Sequence, residues 1–179
     1  MVYNALAGIA VGYALGMTDG QIKAGIEALV PLAGRNHLIE TGKFTVIDDC
    51  YNANPVSMKS SIDVLKKADT RSVAVLGDMF ELGENEKAMH FDVGVHAAKS
   101  GVDVLICIGA LSEEMAKGAK ETDAEMEIHH YAEKEAFFEE MDRVLKDGDT
   151  ILVKASHGMA FTEIVERLQR GSSKTEWKN

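Results

Sequence analysis

A three-layer α/β sandwich, built on a doubly wound and mostly parallel sheet and preceded by a helical hairpin, is the fold that this 179-residue chain predicts. Two observations carry the expectation. Val73-Ala74-Val75-Leu76 and Val104-Leu105-Ile106-Cys107-Ile108 are nearly continuous apolar runs, the pattern of strands buried on both faces. Between such runs lie segments with a single apolar stripe, Met58, Ile62 and Leu65 in one and Phe161, Ile164, Val165 and Leu168 in another, as helices covering a sheet require.

The elements come in order along the chain. Leu6, Ile9, Ala10, Tyr13 and Ala14 mark one helix; Ile22, Ile26 and Leu29 mark a second, which Thr18 and Gln21 can open as a capping box. Two short helices cannot bury their apolar faces alone, so a boundary is expected near Pro31 to Arg35. Residues 1–33 then form the end of a preceding domain or a hairpin docked on the main domain, residues 34–170 form that main domain, and residues 171–179 form a flexible tail. In the main domain His37 to Glu40 reads as an edge strand turning at Thr41-Gly42-Lys43 into a strand from Phe44 to Ile47. Pro55 blocks further pairing, and Ser57 can cap a helix over 57–68. A strand from Ser72 to Leu76, helix 86–99, a strand from Asp103 to Ile108 and helix 111–119 come next. A strand from Glu127 to Tyr131, helix 133–145, a strand from Thr150 to Lys154 and helix 159–170 complete the alternation.

Composition excludes several classes. With 46% hydrophobic and 27% charged residues the chain suits one ordinary domain plus a small piece. Its net charge of -10, from 29 acidic and 19 basic residues, disfavours a surface that tracks nucleic acid phosphates or anionic lipid. Cys50 and Cys107 have no metal spacing, so a reducing, cytoplasmic setting is expected. The apolar stretch from Ala5 to Leu15 is too short to span a bilayer and lacks the basic leader of a signal peptide.

In open α/β sheets ligands bind beyond the carboxyl ends of the strands, and three such ends carry polar groups. Asp48-Asp49-Cys50-Tyr51-Asn52-Ala53-Asn54 succeeds one strand; its bland alternative is an Asx-rich turn. Gly77-Asp78-Met79 succeeds another, with Gly77 suited to a tight turn or a close backbone approach and Asp78 either a ligand contact or a cap-like loop residue. Lys154-Ala155-Ser156-His157 ends the last strand with a cation, a hydroxyl and an imidazole just before a helix, a plausible phosphate or carboxylate site. Adjacent Ser156 and His157 do not make a nucleophile–base pair by themselves, and His129-His130 should face opposite sides of a strand and so form a weak metal site. His37 and His96 read as surface or packing residues. Neither a P-loop nor a Gly-x-Gly-x-x-Gly fingerprint occurs.

Taken together, Gly34-Arg35, Ile47 to Pro55 with Ser57-Met58, Leu76-Gly77-Asp78-Met79 with Glu81-Leu82-Gly83 and His90, and Leu152 to Ser156 resemble the Mur ligase family, in particular its D-alanyl-D-alanine-adding members. Asn4-Ala5-Leu6-Ala7 and Gly25 to Leu29 extend the resemblance over almost the whole chain. It implies a Rossmann-like C-terminal domain preceded by the last helices of the central ATP-binding domain. The implied reaction is ATP- and Mg2+-dependent: the terminal carboxylate of UDP-N-acetylmuramoyl-tripeptide becomes an acyl phosphate, which the amine of D-alanyl-D-alanine attacks. By the same resemblance Arg35, Asp49 and Tyr51 contact the nucleotide, and Asp48 and Asn54 orient their loop. Asn52 and Lys154 are catalytic, and Ser156, His157 and Asp78 face the substrates. Phe161 lines that site or belongs to the core.

The family's phosphate loop, modified lysine and magnesium ligands do not occur in this stretch, so the chain by itself is expected to be inactive, with no metal site of its own. A monomer is expected, with residues 1–33 as a route to self-association. Cys50 stands where the family often has serine, and Ala155-Ser156-His157 replaces a commoner Gly-Ser-Arg, which puts a guanidinium role at 157 in doubt. The competing class is an independent, non-catalytic nucleotide- or peptide-binding module with the same fold.

Overall fold

The computed structural model describes residues 2–28 and 33–171; Leu29, Pro31 and the tail residues 172–179 lie outside the described residues. The chain divides into two compact units, Met1–Leu32 and Ala33–Asn179.

The first unit holds α1 (Val2–Ala14) and α2 (Asp19–Glu27). Thr18 and Gln21 close the expected capping box at the start of α2: the Thr18 hydroxyl oxygen accepts from the Gln21 amide, and the Gln21 side chain accepts from the Thr18 amide. Gly12 lets the two helices meet, since a Cβ there would sit 2.8 Å from the Ile22 side chain.

The second unit begins with β1 (His37–Glu40), β2 (Thr45–Asp48), α3 (Pro55–Leu65), β3 (Ser72–Gly77) and α4 (Glu86–Lys99). It continues with β4 (Val104–Ile108), α5 (Ser112–Thr122), β5 (Glu127–Tyr131), α6 (Lys134–Val144), β6 (Thr150–Lys154) and α7 (Thr162–Arg170). The sheet order is β1-β2-β6-β3-β4-β5. β1 pairs antiparallel with β2 at the edge, and every other pairing is parallel.

Alternation along the strands feeds two cores. Val73, Val75, Val104, Ile106, Ile151 and Val153 point to the face covered by α6 and α7, with Phe137, Met141, Ile164 and Leu168 above them. Ala74, Leu76, Leu105, Cys107 and Leu152 point the other way, to Met58, Ile62 and Leu65 of α3, Val93 and Ala97 of α4, and Met115 of α5. Helices on both faces of a parallel sheet make the three layers. On the second face α4 and α5 cross at Gly94 and Gly118; a Cβ on either would run into the backbone carbonyl of Met115 or Phe91.

Two helix starts differ from the sequence expectation. Asn54 rather than Ser57 is the N-cap of α3: its side chain accepts from the Ser57 amide, Pro55 fills the first turn, and Ser57 returns a bond as the third residue of a capping box. Pro at the first helical position costs no hydrogen bond, so the helix begins two residues earlier. At the other end α7 begins at Thr162 rather than 159, because His157–Met159 form a 3-10 turn that ends on Ala160 in the left-handed conformation, φ 52°.

Candidate functional site

The site grows from the end of β2. Asp48 is buried, and its Oδ2 accepts from the Gly34 amide at 2.7 Å while Oδ1 accepts from the Cys50 thiol at 2.9 Å. Burial, then the bond to Asp48, pushes the Cys50 thiol up to about 12, so it acts as a serine-like donor. Side chains then pin the loop to both cores, Cys50 to the α6–α7 side and Ala53 to the α3–α5 side. Asn54 ends the loop as the cap of α3, and the Asn52 carboxamide oxygen accepts from the Ala53 amide.

Residues 34–36 lie along this loop. The Tyr51 amide donates to the Gly34 carbonyl at 2.9 Å, and the Asn36 amide donates to Asp49 Oδ1 at 3.0 Å. Gly34 has φ 78°, and a Cβ there would sit 3.2 Å from the Tyr51 amide nitrogen, so only glycine fits easily. The result is an open platform. The Arg35 guanidinium carbon lies 4.0 Å from the centroid of the Tyr51 ring, which is 48% exposed, and the His157 ring leans on Tyr51 at 5.8 Å and 48°. A guanidinium over an exposed aromatic ring is a cation–π pair with groups left to meet a planar or anionic ligand.

Under the platform the Lys154 ammonium donates to Asp49 Oδ2 at 2.6 Å, to the Asn52 carbonyl at 2.9 Å and to the Asp49 carbonyl at 3.3 Å. Ser61 of α3 brings its hydroxyl within 2.6 Å of the same Asp49 oxygen. The expectation that Lys154 reaches a reacting group thus meets an ammonium already engaged by three acceptors inside the loop.

The β3 and β6 ends are tied together beside it. The Ser156 amide donates to the Asp78 carbonyl, and the Ser156 hydroxyl oxygen accepts from the Phe80 amide at 2.8 Å. Of the two roles open to Asp78 the geometry favours the cap: its buried carboxylate accepts from the Leu111 and Ser112 amides at the start of α5. His90, fully buried, accepts the Met79 N–H on Nε2 at 2.9 Å, so Nδ1 carries the proton given to the Glu86 carbonyl. Of the two readings of Gly77 the structure shows the close approach, with a Cβ there 2.5 Å from the Phe161 ring. Phe161 is itself 1% exposed and belongs to the core, and it also borders a cavity of about 290 Å3 with Ile108, Lys134 and Met159.

Asn36, Glu81 and Ala160, the non-glycine residues in the left-handed region among those described, all lie in loops around this edge. Such conformations concentrate at functional sites. His129 and His130 do diverge, to Glu127 and to the Gly109 carbonyl respectively. Among the described residues no group of three or more His, Cys, Asp or Glu side chains is placed to hold a metal ion, and no helix is long and apolar enough to cross a membrane. Sequence reasoning missed Ser61 and Asn36. The signal for Ser61 was a hydroxyl on the apolar stripe Met58, Ile62, Leu65; Asn36 left none, because its amide does the work.

Comparison with known proteins adds a family to this geometry. The family described as Mur ligase, glutamate ligase domain, matches residues 34–157. The UDP-N-acetylmuramoyl-tripeptide--D-alanyl-D-alanine ligases of Bacillus subtilis (strain 168) and Escherichia coli (strain K12) are each 34% identical, over 93% and 96% of this chain. The chain spans 37% of the length of each. A crystal structure of MurF from Acinetobacter baumannii superposes with a TM-score of 0.84 at 26% identity, covering 94% of this chain and 37% of that one.

Proposed function

The chain belongs to the Mur ligase family, and from that premise we propose that it is the C-terminal lid of a longer ATP-dependent ligase that joins D-alanyl-D-alanine to UDP-N-acetylmuramoyl-tripeptide in the cytoplasm. Residues 1–33 are then the last helices of the central ATP-binding domain, and residues 34–170 are the C-terminal domain itself. The observation that carries the reading is the open Arg35–Tyr51 platform beside Asp49 at the carboxyl edge of the sheet, where α/β folds take nucleotides. It fits a nucleotide on chemical grounds: an aromatic face for a planar ring, a guanidinium for phosphate or ribose oxygen, and a carboxylate for a ribose hydroxyl.

ATP supplies the phosphoryl group that turns a poor electrophile, the tripeptide carboxylate, into one with a good leaving group. The lid's own contribution is positioning and charge stabilisation. Arg35, Asp49 and Tyr51 bind the nucleotide, with Asp48 and Asn54 holding the loop in shape. The Asn52 carboxamide, the Ser156 hydroxyl and the His157 imidazole face the dipeptide and the transferred phosphate. Magnesium would be held by parts of the ligase outside this stretch, since the described residues offer no cluster for it.

A coupled ADP-release assay tests the proposal. The longer ligase should turn over Mg-ATP only when both UDP-N-acetylmuramoyl-tripeptide and D-alanyl-D-alanine are present, and the 179-residue chain should show no turnover above background. Robust turnover by the chain alone, or turnover indifferent to the dipeptide, would overturn it.

A further inference from the structure

Lys154 ends β6 with a side chain only 3% exposed. An ammonium has three N–H donors, and three acceptors surround this one: Asp49 Oδ2, the Asn52 carbonyl and the Asp49 carbonyl. No donor remains to aim at a bound group. The Lys154 backbone cannot swing away either, because β6 is an inner strand whose Lys154 pairs with Leu76 of β3. Asp49 Oδ2 is saturated in turn by Lys154 and by the Ser61 hydroxyl, whose single proton it shares with the Ser57 carbonyl. Asp49 Oδ1 accepts from the Asn36 amide, in the segment that carries Arg35. The lysine therefore grips a side chain and two main-chain carbonyls on either side of Tyr51, and the platform residues are the ones its grip fixes.

We propose that Lys154 and Ser61 are positioning residues: together they clamp Asp49 and hold the loop 49–52 and the segment 34–36 in register, and Lys154 acts through that loop without touching nucleotide, dipeptide or reacting phosphate. The kinetic consequence rests on the nucleotide reading of the platform; the clamp itself does not. Losing a clamp lowers the fraction of time the platform is formed, so it weakens nucleotide binding while leaving the reacting groups where they were. Losing a group that touches the transferred phosphate lowers the rate of the chemical step instead.

Two variants, Lys154→Met and Ser61→Ala, separate these cases by two readouts. In the 179-residue chain, backbone amide exchange should quicken at Asn36 and Tyr51 by about ten-fold or more in Lys154→Met and by roughly a few-fold in Ser61→Ala, with Val75 and Ile106 quickening no further than the fall in global stability requires. In the longer ligase both variants should raise the KM for ATP, Lys154→Met by about ten-fold, with kcat kept within about three-fold. Adding Asp49→Asn should shrink the effect of Lys154→Met, because the two act through one bond. A fall in kcat of about a hundred-fold at unchanged KM for ATP, with Asn36 and Tyr51 exchange unaltered, would overturn the proposal and make Lys154 a catalytic residue. If Lys154→Met loosens the whole sheet, Ser61→Ala decides: no change at Asn36 and Tyr51 would also overturn it. Should the longer protein show no dipeptide-dependent ATP turnover, the ligase reading fails, and the exchange experiment still decides the clamp.

Discussion

Removing Asp49 should cost more stability than removing its partner Lys154, although the two share one ion pair. The Lys154 side chain is 3% exposed and the Asp49 side chain 16%. Asp49→Ala leaves a buried ammonium facing two carbonyls and no counter-charge, and uncompensated buried charges of this kind cost about 3–5 kcal/mol. Lys154→Met leaves a carboxylate that keeps its bonds from the Ser61 hydroxyl and the Asn36 amide and has some access to water, for a cost of about 1–3 kcal/mol. At roughly 2–4 °C of Tm per kcal/mol for a chain of this size, Asp49→Ala should melt roughly 10 °C lower and Lys154→Met a few degrees lower. The double variant should be more stable than Asp49→Ala alone, because the stranded charge is gone. Thermal melts followed by circular dichroism at neutral pH measure all three. An Asp49→Ala melt within about 2 °C of the parent, or a double variant as unstable as the sum of the singles, would mean that loss of Asp49 does not strand the Lys154 charge.

The same structure has other measurable consequences. Cys50 and Cys107 are buried, with both thiols raised chiefly by burial, so a thiol reagent at about pH 8 should label neither until denaturant is added, and Cys50→Ser should cost less than about 1 kcal/mol. Gly94→Ala and Gly118→Ala each press a methyl into a backbone carbonyl and should lower unfolding free energy by about 1–3 kcal/mol in urea titrations; an unchanged midpoint would mean the α4–α5 crossing is looser than described. The Asp103 carboxyl is held below its ordinary 3.8 by the Ser72 amide and then by the Ser72 hydroxyl. A depressed folded value contributes stability that is present above pH 3.8 and lost as pH falls through the lower folded value. Ser72→Ala should therefore flatten the acid limb of a stability–pH curve, and an identical limb would contradict this.

The sheet was legible because burial on both faces writes itself as continuous apolar strands. Val73–Leu76 and Val104–Ile108 turned out to lie beside one another in the interior of the sheet, and the capping box at Thr18 and Gln21 formed as its spacing required. Local turn chemistry was less legible. Asn54-Pro55 competes with Ser57 for the start of α3, and the choice went to the residue whose side chain reaches the third amide. The 3-10 turn at His157–Met159 ends on Ala160 in the left-handed region, a conformation that an alanine in the sequence does not announce. Within the site, the strand-end rule found Asp48, Asp49, Tyr51 and Lys154, yet spacing alone could not reveal that Lys154 spends its donors on a loop about a hundred residues earlier. Non-local contacts, including the shorter-range bonds of the Asp78 carboxylate to Leu111 and Ser112, are set by which strands become neighbours.

Steady-state kinetics of the longer ligase carrying Arg35→Ala decide whether this domain presents Arg35 and Tyr51 to the nucleotide of a D-alanyl-D-alanine-adding ligase. The KM for ATP should rise by about ten-fold or more, since a charge-assisted bond is lost, with the KM for D-alanyl-D-alanine within about two-fold of the parent. An unchanged KM for ATP in a correctly folded variant, or a loss confined to the dipeptide, would contradict it.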